Sequence, residues 1–511
     1  MFKGHPKGLI PAALANMGER FGFYTMMAIL VLFLQAKFGL NGTDAGYIYS
    51  GFYFSIYILA LVGGIIADKI NNYKGTILTG LIMMGVGYVI MAFPTPTPVS
   101  NVPLFLGVSI FGLFVIAFGN GLFKGNLQAL VGQMYDNDKH RDMRDSGFSL
   151  FYAFINVGAI FAPFTAVGVR NWWLGSNGYS YDANLPAQAH AFLGGNMATD
   201  KINEYAEFAT AASGNPVAIA DLTTFSNDYL NVFNTGFHYA FGIAIIAMAI
   251  STVVYLMNKK NFPDPKRSKN TDGKIEITDE IKMEAKEVAQ RMYALLAVFA
   301  VVIFFWFSFH QNGLTLTYFA RDYTLLKFGS WEFSAEIFQS MNPFFVVFLT
   351  PVLVGVFGWL RSKNMEPSTP KKIAIGMGIA SLAFVVMALG SVGVPLFETI
   401  DPEMGGSPLH ESQKVTPYLL LGAYFILTVA ELFISPMGIS FVSKVAPPQY
   451  QGMMQGGWLG ATALGNGLLF IGAILYSTIP IWMTWSIFVI ATAISMFTIM
   501  FMVKWLERVS E

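Results

Sequence analysis

The chain has 511 residues, of which 54% are hydrophobic and only 12% are charged, and its formal net charge is zero. A soluble domain typically carries about 25% charged residues, so this composition favours a protein embedded in lipid and gives no indication of a nucleic-acid partner. The absence of cysteine excludes disulfides, thiolate metal sites and thiol catalysis.

Twelve segments are long and apolar enough to cross a bilayer, which takes about 20 residues of helix. The first segment follows no small-residue cleavage site, so it is expected to be retained. The pattern predicts an all-α, polytopic membrane protein. In chain order the predicted spans are 12–36, 44–68, 75–94, 103–134, 146–169, 233–257, 290–318, 334–360, 372–394, 416–444, 452–476 and 480–503.

Two polar stretches interrupt these spans. Residues 170–232 are predicted to form an external insertion, in which NWWLGSNGYSYDAN and TAASGNP are typical of loops. Residues 258–289 are predicted to be a cytoplasmic linker whose second part forms a polar helix. The linker separates an N-terminal six-helix bundle, 1–257, from a C-terminal one, 290–511. This division favours a two-bundle transporter with its site at the bundle interface, with a channel or an enzyme as the alternatives.

The distribution of basic residues predicts which side of the membrane each segment faces. With a cytoplasmic N-terminus, the cytoplasmic segments together with the adjoining span ends hold 23 Lys and Arg residues, and the external segments hold six. The positive-inside rule therefore predicts that both termini are cytoplasmic. We expect a multi-pass plasma-membrane protein, and the lack of an organelle address fits a bacterial inner membrane. The six external residues are Lys37, Arg170, Lys201, Arg321, Lys327 and Lys414.

Four charged residues, Glu19, Arg20, Lys124 and Glu431, lie at mid-membrane depth. Each costs at least ~2.5–3.5 kcal/mol on insertion scales, so such residues face a bundle interior and have partners. Asn16, Arg20 and Tyr24 recur every four residues, and one polar helix face indicates an aqueous cavity. The alternative is a structural Glu–Arg pair joining two helices. Lys124 is expected to pair with Glu19 or with a substrate carboxylate.

Later spans add further polar groups. Asn156 lies in span 5, Asn342 precedes Pro343 in span 8, and Glu431 precedes a Ser-Pro pair in span 10. A lone carboxylate such as Glu431 suits a substrate ammonium group or a proton. Each Asn taken alone could equally join two helices.

Span 7 places Trp306 and His310 four residues apart, on one helix face. His310 is either a group that titrates in a cavity or a neutral, hydrogen-bonded core residue. Trp458 in span 11 either lines a pocket or packs in the core. The six histidines are scattered and no nucleophile–base pair is apparent, so we predict no enzyme, no metal site and no cofactor.

Six motifs follow one another along nearly the whole chain. They are NMGERFGFY at 16–24, GGIIADKINNYKG at 63–75, GNGLFKGN at 119–126, FYAFINVG at 151–158, QSMNPFF at 339–345 and ELFISPMGISFVSKVAP at 431–447. In this order they resemble the motifs of the proton-dependent oligopeptide transporter family, within the major facilitator superfamily. The resemblance implies a major-facilitator fold of 12 transmembrane helices in two six-helix bundles, acting as a monomer.

Members of that family take up di- and tripeptides by proton symport, and the resemblance implies the same activity here. By position, Arg20, Lys124 and Tyr24 are expected to face the peptide carboxylate, and Tyr57 matches another tyrosine of the pocket. The remaining implied substrate-binding residues are Asn156, Asn342 and Glu431 for the peptide amino terminus, and Trp306, Trp458 and Thr462 for its side chains.

Three positions depart from the family pattern. Asn16 and His310 replace glutamates, and Met27 replaces an arginine. Proton coupling would then fall to Glu19, Glu431 and His310. The departures at Met27 and His310 also favour an alternative, a related carrier for another small zwitterion or anion, such as an amino acid, a drug or nitrate. The external insertion 170–232 favours a second alternative, a membrane sensor that binds peptides without moving them.

Overall fold

The computed structural model of the protein describes residues 4–70, 72–135, 140, 143–263, 285–447 and 450–510. Residues 264–284, which make up most of the predicted linker 258–289 and of its polar helix, lie outside the described residues. The longer helices are α1 (Leu9–Phe38), α2 (Gly42–Ile70), α3 (Tyr73–Ala92), α4 (Val102–Gln133), α5 (Arg144–Ser176), α6 (Leu185–Leu193), α7 (Ile202–Ser213), α8 (Leu222–Asn258), α9 (Ala285–Phe309), α10 (Thr315–Tyr323), α11 (Met341–Ser362), α12 (Thr369–Gly390), α13 (Phe397–Ile400), α14 (Pro417–Val445), α15 (Gln451–Gly467), α16 (Phe470–Thr478) and α17 (Ile481–Ser510). A short hairpin pairs β1 (Lys327–Phe328) with β2 (Trp331–Glu332).

Twelve helical segments of the described chain are long and apolar enough to span a membrane, as predicted. Helices are the natural outcome, since a lipid-embedded backbone must satisfy its own hydrogen bonds. The spans are α1 to α5, α8, α9 with α10, α11, α12, α14, α15 with α16, and α17. Two of them, in the C-terminal half, are interrupted at mid-course.

Contacts between helices separate the spans into two groups. In the N-terminal half α1 packs on α5 and α8, and α4 packs on α2 and α3. In the C-terminal half α12 packs on α14 and α17, while α9 packs on α15 and α17. The two groups meet where α2 contacts α15 and α16, and where α5 contacts α11. This is the all-α, two-bundle architecture that the sequence predicts.

The region 170–232 is largely helical, and the two stretches in it that were predicted as loops are helical in their first residues. Helix α5 continues to Ser176, α7 covers the start of TAASGNP, and α8 begins at Leu222. The search for long apolar stretches missed the start of α8, because polar residues occupy one face of its first turns and interrupt the apolar sequence. On the other face Phe225, Tyr229 and Phe233 form a buried aromatic ladder. One glycine of each stretch does mark the chain just after a helix, where Gly178 and Gly214 take positive φ values of 80° and 67°.

Three basic residues expected in external segments, Lys37, Arg170 and Arg321, lie inside α-helices that extend the predicted spans. Lys37 is in the last turn of α1 and Arg170 is within α5, and both side chains are buried. Where a helix extends beyond the apolar stretch of a span, the basic residues that flank the stretch become part of the helix. Such cations then need partners within the protein.

We call the end of the bundles that carries α6 and α7 the insertion end, and the opposite end, where Pro263 and Ala285 lie, the linker end. Among the described residues, every hydrogen bond that crosses between the bundles lies between mid-depth and the insertion end. The crossing bonds are Thr43–Ser477, Arg170–Ser334, Arg170–Glu336, Gly42–Tyr318, Gln35–Arg321, Ala28–Gln339, Ile160–Ser340 and Glu204–Ser407.

The strongest crossing contact is the ion pair of Arg170 in α5 with Glu336, just before α11, since both side chains are fully buried. The same guanidinium donates to Ser334 Oγ at 2.9 Å and lies over the ring of Tyr181, 4.1 Å from its centroid. Arg321 donates to Gln35 Oε1 at 2.7 Å close by. The bundles are therefore latched together at the insertion end.

Candidate functional site

The buried charges of α1 form a closed cluster. Arg20 donates from Nε to Glu19 Oε2 at 2.6 Å and from its second terminal nitrogen to Glu19 Oε1 at 2.8 Å. Asn120 in α4 donates to Glu19 Oε1 at 2.7 Å. A two-point Arg–carboxylate contact is among the strongest side-chain interactions. Glu19 is thus neutralised within its own helix and tied to α4.

Lys124 lies one turn further along α4 and is half-buried. Of the two partners expected for it, Glu19 is engaged elsewhere, and Lys124 forms no ion pair within the described part of the chain. Its ammonium instead lies over the ring of Tyr57, 4.9 Å from the centroid. The close contact of α2 with α4 at Gly63 and Gly121 brings this ring to the lysine, because a Cβ on Gly63 would collide with the Gly121 carbonyl.

The carboxylate of Glu431 in α14 has neutral partners. Asn342 at the start of α11 donates to Glu431 Oε2 at 2.7 Å and lies 3.1 Å from Thr428 Oγ1. Glu431 is half-buried and forms no ion pair among the described residues. The charge of this carboxylate must be balanced by something other than a fixed side chain, since an uncompensated charge inside the membrane is costly.

These two halves face each other across the bundle interface. Glu431 lies within electrostatic range of the phenol groups of Tyr24 and Tyr57, which belong to the N-terminal bundle. The ring of Tyr53, one turn before Tyr57 on α2, contacts the imidazole of His310 in the C-terminal bundle, with centroids 4.7 Å apart and planes tilted by 46°. Lys124 lies over the ring of Tyr57 in the N-terminal half and Glu431 lies in the C-terminal half, and neither forms an ion pair among the described residues.

His310 occupies a break in its span. The helix changes there from α9 to a short 3-10 turn, His310–Gly313, before α10 begins. Span 11 is interrupted at Leu468 and Leu469, and the two breaks meet. His310 Nδ1 lies 2.5 Å from Asn466 Oδ1, and Gln311 donates to the Leu469 carbonyl at 3.2 Å. Irregular backbone at membrane depth is tolerated where such side chains satisfy it.

Trp306 stacks on His310, with ring centroids 4.9 Å apart and planes 20° apart. Within the described residues, the buried Trp306 Nε1 and Asn466 Nδ2 have no hydrogen-bond partner. Buried donors without acceptors are rare in folded proteins. A bound carbonyl, carboxylate or water could accept from them, so this corner is suited to a polar ligand.

The other expected positions are less centrally placed. Trp458 is buried and packs on Gly438, and Thr462 donates to the Trp458 carbonyl of its own helix at 3.1 Å. Asn156 is half-buried and donates to the carbonyl of Tyr152 one turn earlier. None of these three shares a hydrogen bond with Lys124 or Glu431.

The altered positions lie on the same helix as the charged cluster. Asn16 is buried one turn before Arg20, and Met27 is 4% exposed in the apolar core. Because Met27 stands where the family pattern has an arginine, α1 has no basic side chain at this position. Sequence reasoning missed Tyr53, Asn120, Thr428 and Asn466. The two asparagines were signalled, because each lies in a Gly-Asn-Gly triplet within a predicted span.

Comparison with known proteins places the chain in a family. The POT family model matches residues 74–276 and 267–484, which is well over half of the chain. The chain belongs to the POT family. It is therefore a polytopic membrane transporter of a peptide-transporter family, and it is not an enzyme.

Relatives align along almost the whole chain. The uncharacterized transporter YclF of Bacillus subtilis (strain 168) is 27% identical over 94% of this chain and 90% of its own length. The peptide transporter YePEPT of Yersinia enterocolitica (serotype O:3, strain YE-P4) is 28% identical over 91% and 87%. A di-/tripeptide transporter of Lactococcus lactis (strain IL1403) is 25% identical over 91% and 89%.

Solved structures match the fold. A peptide transporter POT in complex with sulfate superposes with a TM-score of 0.73 at 22% identity, covering 100% of this chain and 96% of the other. A POT family transporter in complex with 5-aminolevulinic acid gives 0.70 at 20% identity, covering 100% and 98%. Together with the twelve spans, these matches support the major-facilitator fold.

Proposed function

We propose that this transporter takes up di- and tripeptides, and that it holds the two ends of the peptide backbone between Lys124 and Glu431. The observation that carries the proposal is that these two opposite charges are unpaired, half-buried and on facing bundles. A zwitterion that bridges them would neutralise both. Recognition of the ends alone would let one pocket accept many side chains. The named functions of YePEPT and of the Lactococcus relative support the substrate class.

Each remaining residue has a proposed place around this axis. Tyr24 and Tyr57 flank the carboxylate end beside Lys124, and Asn342 orients the Glu431 carboxylate toward the ammonium end. Trp306 with its unpaired Nε1 receives the first side chain or peptide carbonyl. Arg20 would act through the field of its cluster, because its guanidinium is already engaged by Glu19. The outermost expected members of the pocket are Asn156, Trp458 and Thr462.

Proton coupling is part of the proposal, with Glu431 as its principal carrier. No cation among the described residues forms an ion pair with Glu431, so a proton or the substrate ammonium group is the proposed partner of its charge. That competition links peptide release to protonation. His310 is a secondary candidate through its Asn466 contact, and Glu19 would contribute only if the Arg20 contact opened.

We further propose that the termini are cytoplasmic, as the basic residues predict. The insertion end then faces outward, and the latched interface corresponds to a state closed to the outside. A single cysteine at exposed Ser176 tests this orientation, since the chain has no native cysteine. A membrane-impermeant maleimide should label it in intact cells. Labelling only after the membrane is broken would reverse the orientation.

The test of function is uptake into proteoliposomes. Labelled dialanine should accumulate above its external concentration when an inward proton gradient is imposed, and unlabelled dipeptides should compete. Equal final levels with and without the gradient would remove proton symport and leave facilitated diffusion. Accumulation of free amino acids or nitrate but not of dialanine would establish the alternative substrate class. Binding without any uptake would support the sensor.

A further inference from the structure

A second cavity lies far from the proposed peptide site, on the outer surface of the N-terminal bundle at the insertion end. It has a volume of about 340 Å³ and lies among α1, α3, α4 and α8. Its walls are mainly apolar, and Val89, Phe93 and Val108 at its mouth are 50%, 69% and 43% exposed. In a membrane protein this exposed rim faces lipid. The cavity therefore opens sideways into the bilayer, at the level where the spans end.

The floor of the cavity contains a buried cation. Lys37, in the last turn of α1, is 1% exposed and lines this cavity. Its ammonium donates to the carbonyl of Thr95 and, at 2.9 Å, to Thr97 Oγ1. An ammonium group has three N–H donors, so one is left. The C-terminal end of α1 favours a cation here, yet Lys37 forms no ion pair with any described carboxylate.

A buried acceptor accompanies the lysine. His238 of α8 lines the same cavity and is 4% exposed. Its Nδ1 lies 2.7 Å from the Met91 carbonyl, and since a carbonyl can only accept, Nδ1 carries the proton. The Nε2 is then an acceptor, and it has no partner among the described residues. The cavity thus offers an unused N–H of a cation, an unused nitrogen acceptor and an apolar channel to the lipid.

We propose that this cavity binds the headgroup of an anionic phospholipid that carries hydroxyl groups, such as phosphatidylglycerol. The phosphate would accept from Lys37, a headgroup hydroxyl would donate to His238 Nε2, and an acyl chain would lie against Val89, Phe93 and Val108. Phosphate and hydroxyl together complement the two unused groups, whereas a purely apolar ligand would leave both buried and unpaired. The inference does not depend on the transported substrate.

The test uses the full chain, purified in detergent and stripped of lipid. Native mass spectrometry counts bound phosphatidylglycerol, and tryptophan fluorescence follows thermal unfolding during the same titration. We expect saturable binding of one tightly held lipid that raises the unfolding temperature. Lys37→Gln should weaken this binding at least about tenfold, because it removes a charged hydrogen bond. Phosphatidylcholine, without headgroup hydroxyls or net charge, should give no comparable shift.

Two controls make the result specific. Lys201→Gln changes a half-buried lysine at the same end that does not line the cavity, and it should bind the lipid as the native chain does. Val108→Trp fills the mouth of the cavity without touching Lys37, so it should weaken binding even if Lys37→Gln misfolds. Unchanged binding in Val108→Trp, or in a folded Lys37→Gln protein, would overturn the site. An equal shift from inorganic phosphate would overturn the lipid as its ligand, and an equal shift from phosphatidylcholine would overturn headgroup recognition.

Discussion

The two halves of the central site treat their charges differently. In the N-terminal bundle Glu19 is held by Arg20 from its own helix and by Asn120 from α4. In the C-terminal bundle the hydrogen bond that Glu431 accepts within the described chain comes from the neutral amide of Asn342, which also donates to Thr428 Oγ1. The first carboxylate is satisfied before any substrate arrives. The second is not, and neither is Lys124.

This difference distinguishes the charges that stabilise the fold from those that are free to bind the substrate or the co-transported ion. Mid-membrane depth alone would assign the same significance to Glu19, Arg20, Lys124 and Glu431, since all four are costly to bury. Hydrogen-bond partners divide them. A charge already neutralised by a fixed neighbour supports the fold, while an unpaired one requires a mobile partner, which for a transporter is its substrate or its co-transported ion.

The largest expected effect follows from removing an available charge. Lys124→Ala and Glu431→Gln should each lower dipeptide uptake at least about 30-fold, since leaving the substrate charge buried and unpaired costs ~2–5 kcal/mol. Uptake of labelled dialanine into proteoliposomes measures this. Lys504→Ala, which alters an exposed lysine of α17, is the matched control and should transport normally. Native-like uptake in either site variant would refute its role.

The structural cluster should respond in stability instead. Glu19→Gln leaves the Arg20 guanidinium buried without its counter-ion, which typically costs ~3–5 kcal/mol of folding free energy. Its unfolding temperature in detergent should fall clearly below that of Lys124→Ala. The double variant Glu19→Gln with Arg20→Gln should be less destabilised than Glu19→Gln alone, because both charges are then removed. A Glu19→Gln protein as stable as the native chain would show that the pair is dispensable.

The sequence predicted the scaffold well and the partners poorly. Twelve apolar stretches are sufficient to place twelve spans, because a lipid environment leaves the backbone no alternative. The hydrogen-bond partners of each polar side chain depend on how the helices are rotated and on the side-chain rotamers. The periodicity of the sequence determines neither. Glu19 was therefore a plausible partner for Lys124 until the two-point contact with Arg20 was seen. The breaks near His310 and Leu468 were also missed, although Asn312–Gly313 and the triplet at 465–467 marked both.

The Arg170–Glu336 ion pair holds the two bundles together at the insertion end, so removing it offers a way to open the site at that end. Glu336→Gln should weaken the contact between the bundles, because it leaves the buried Arg170 guanidinium without its counter-ion, which costs ~3–5 kcal/mol. A single cysteine at buried Ser340, which contacts Ile160 across the interface, reports on opening. Its labelling by an impermeant maleimide should accelerate at least about tenfold in the Glu336→Gln background.

The exposed Ser176→Cys protein serves as the reference for that experiment, and its labelling rate should be the same with and without Glu336→Gln. If Ser340→Cys also labels at one rate in both backgrounds, the Arg170–Glu336 pair does not hold the insertion end closed.

A smaller, pH-dependent effect is expected beside the latch. Burial and the neighbouring Asp401 carboxylate raise the pKa of Glu403 to about 7, and Arg321 opposes this shift. A raised pKa in the folded state means that stability is fully present below the unfolded pKa of about 4.5 and is lost as the pH rises through about 7. Unfolding temperatures of the native chain should therefore decline over this interval more steeply than those of Glu403→Gln. Glu332→Gln, at an exposed carboxylate, should follow the native chain, and parallel curves for Glu403→Gln would disprove the contribution.

The smallest expected effect concerns Asn16, the departure closest to the paired cluster. Asn16→Glu adds a carboxylate four residues before Arg20 on the same helix face, where it would compete with Glu19 for the guanidinium. Loosening that contact would make Glu19 more available to protons, so the pH at which uptake is half-maximal should move while the maximal rate changes little. Asn16→Gln, which adds length but no charge, should keep the native profile. If Asn16→Glu also keeps it, the coupling of this chain was not altered at Asn16, and Glu431 and His310 remain as the proposed carriers of the proton.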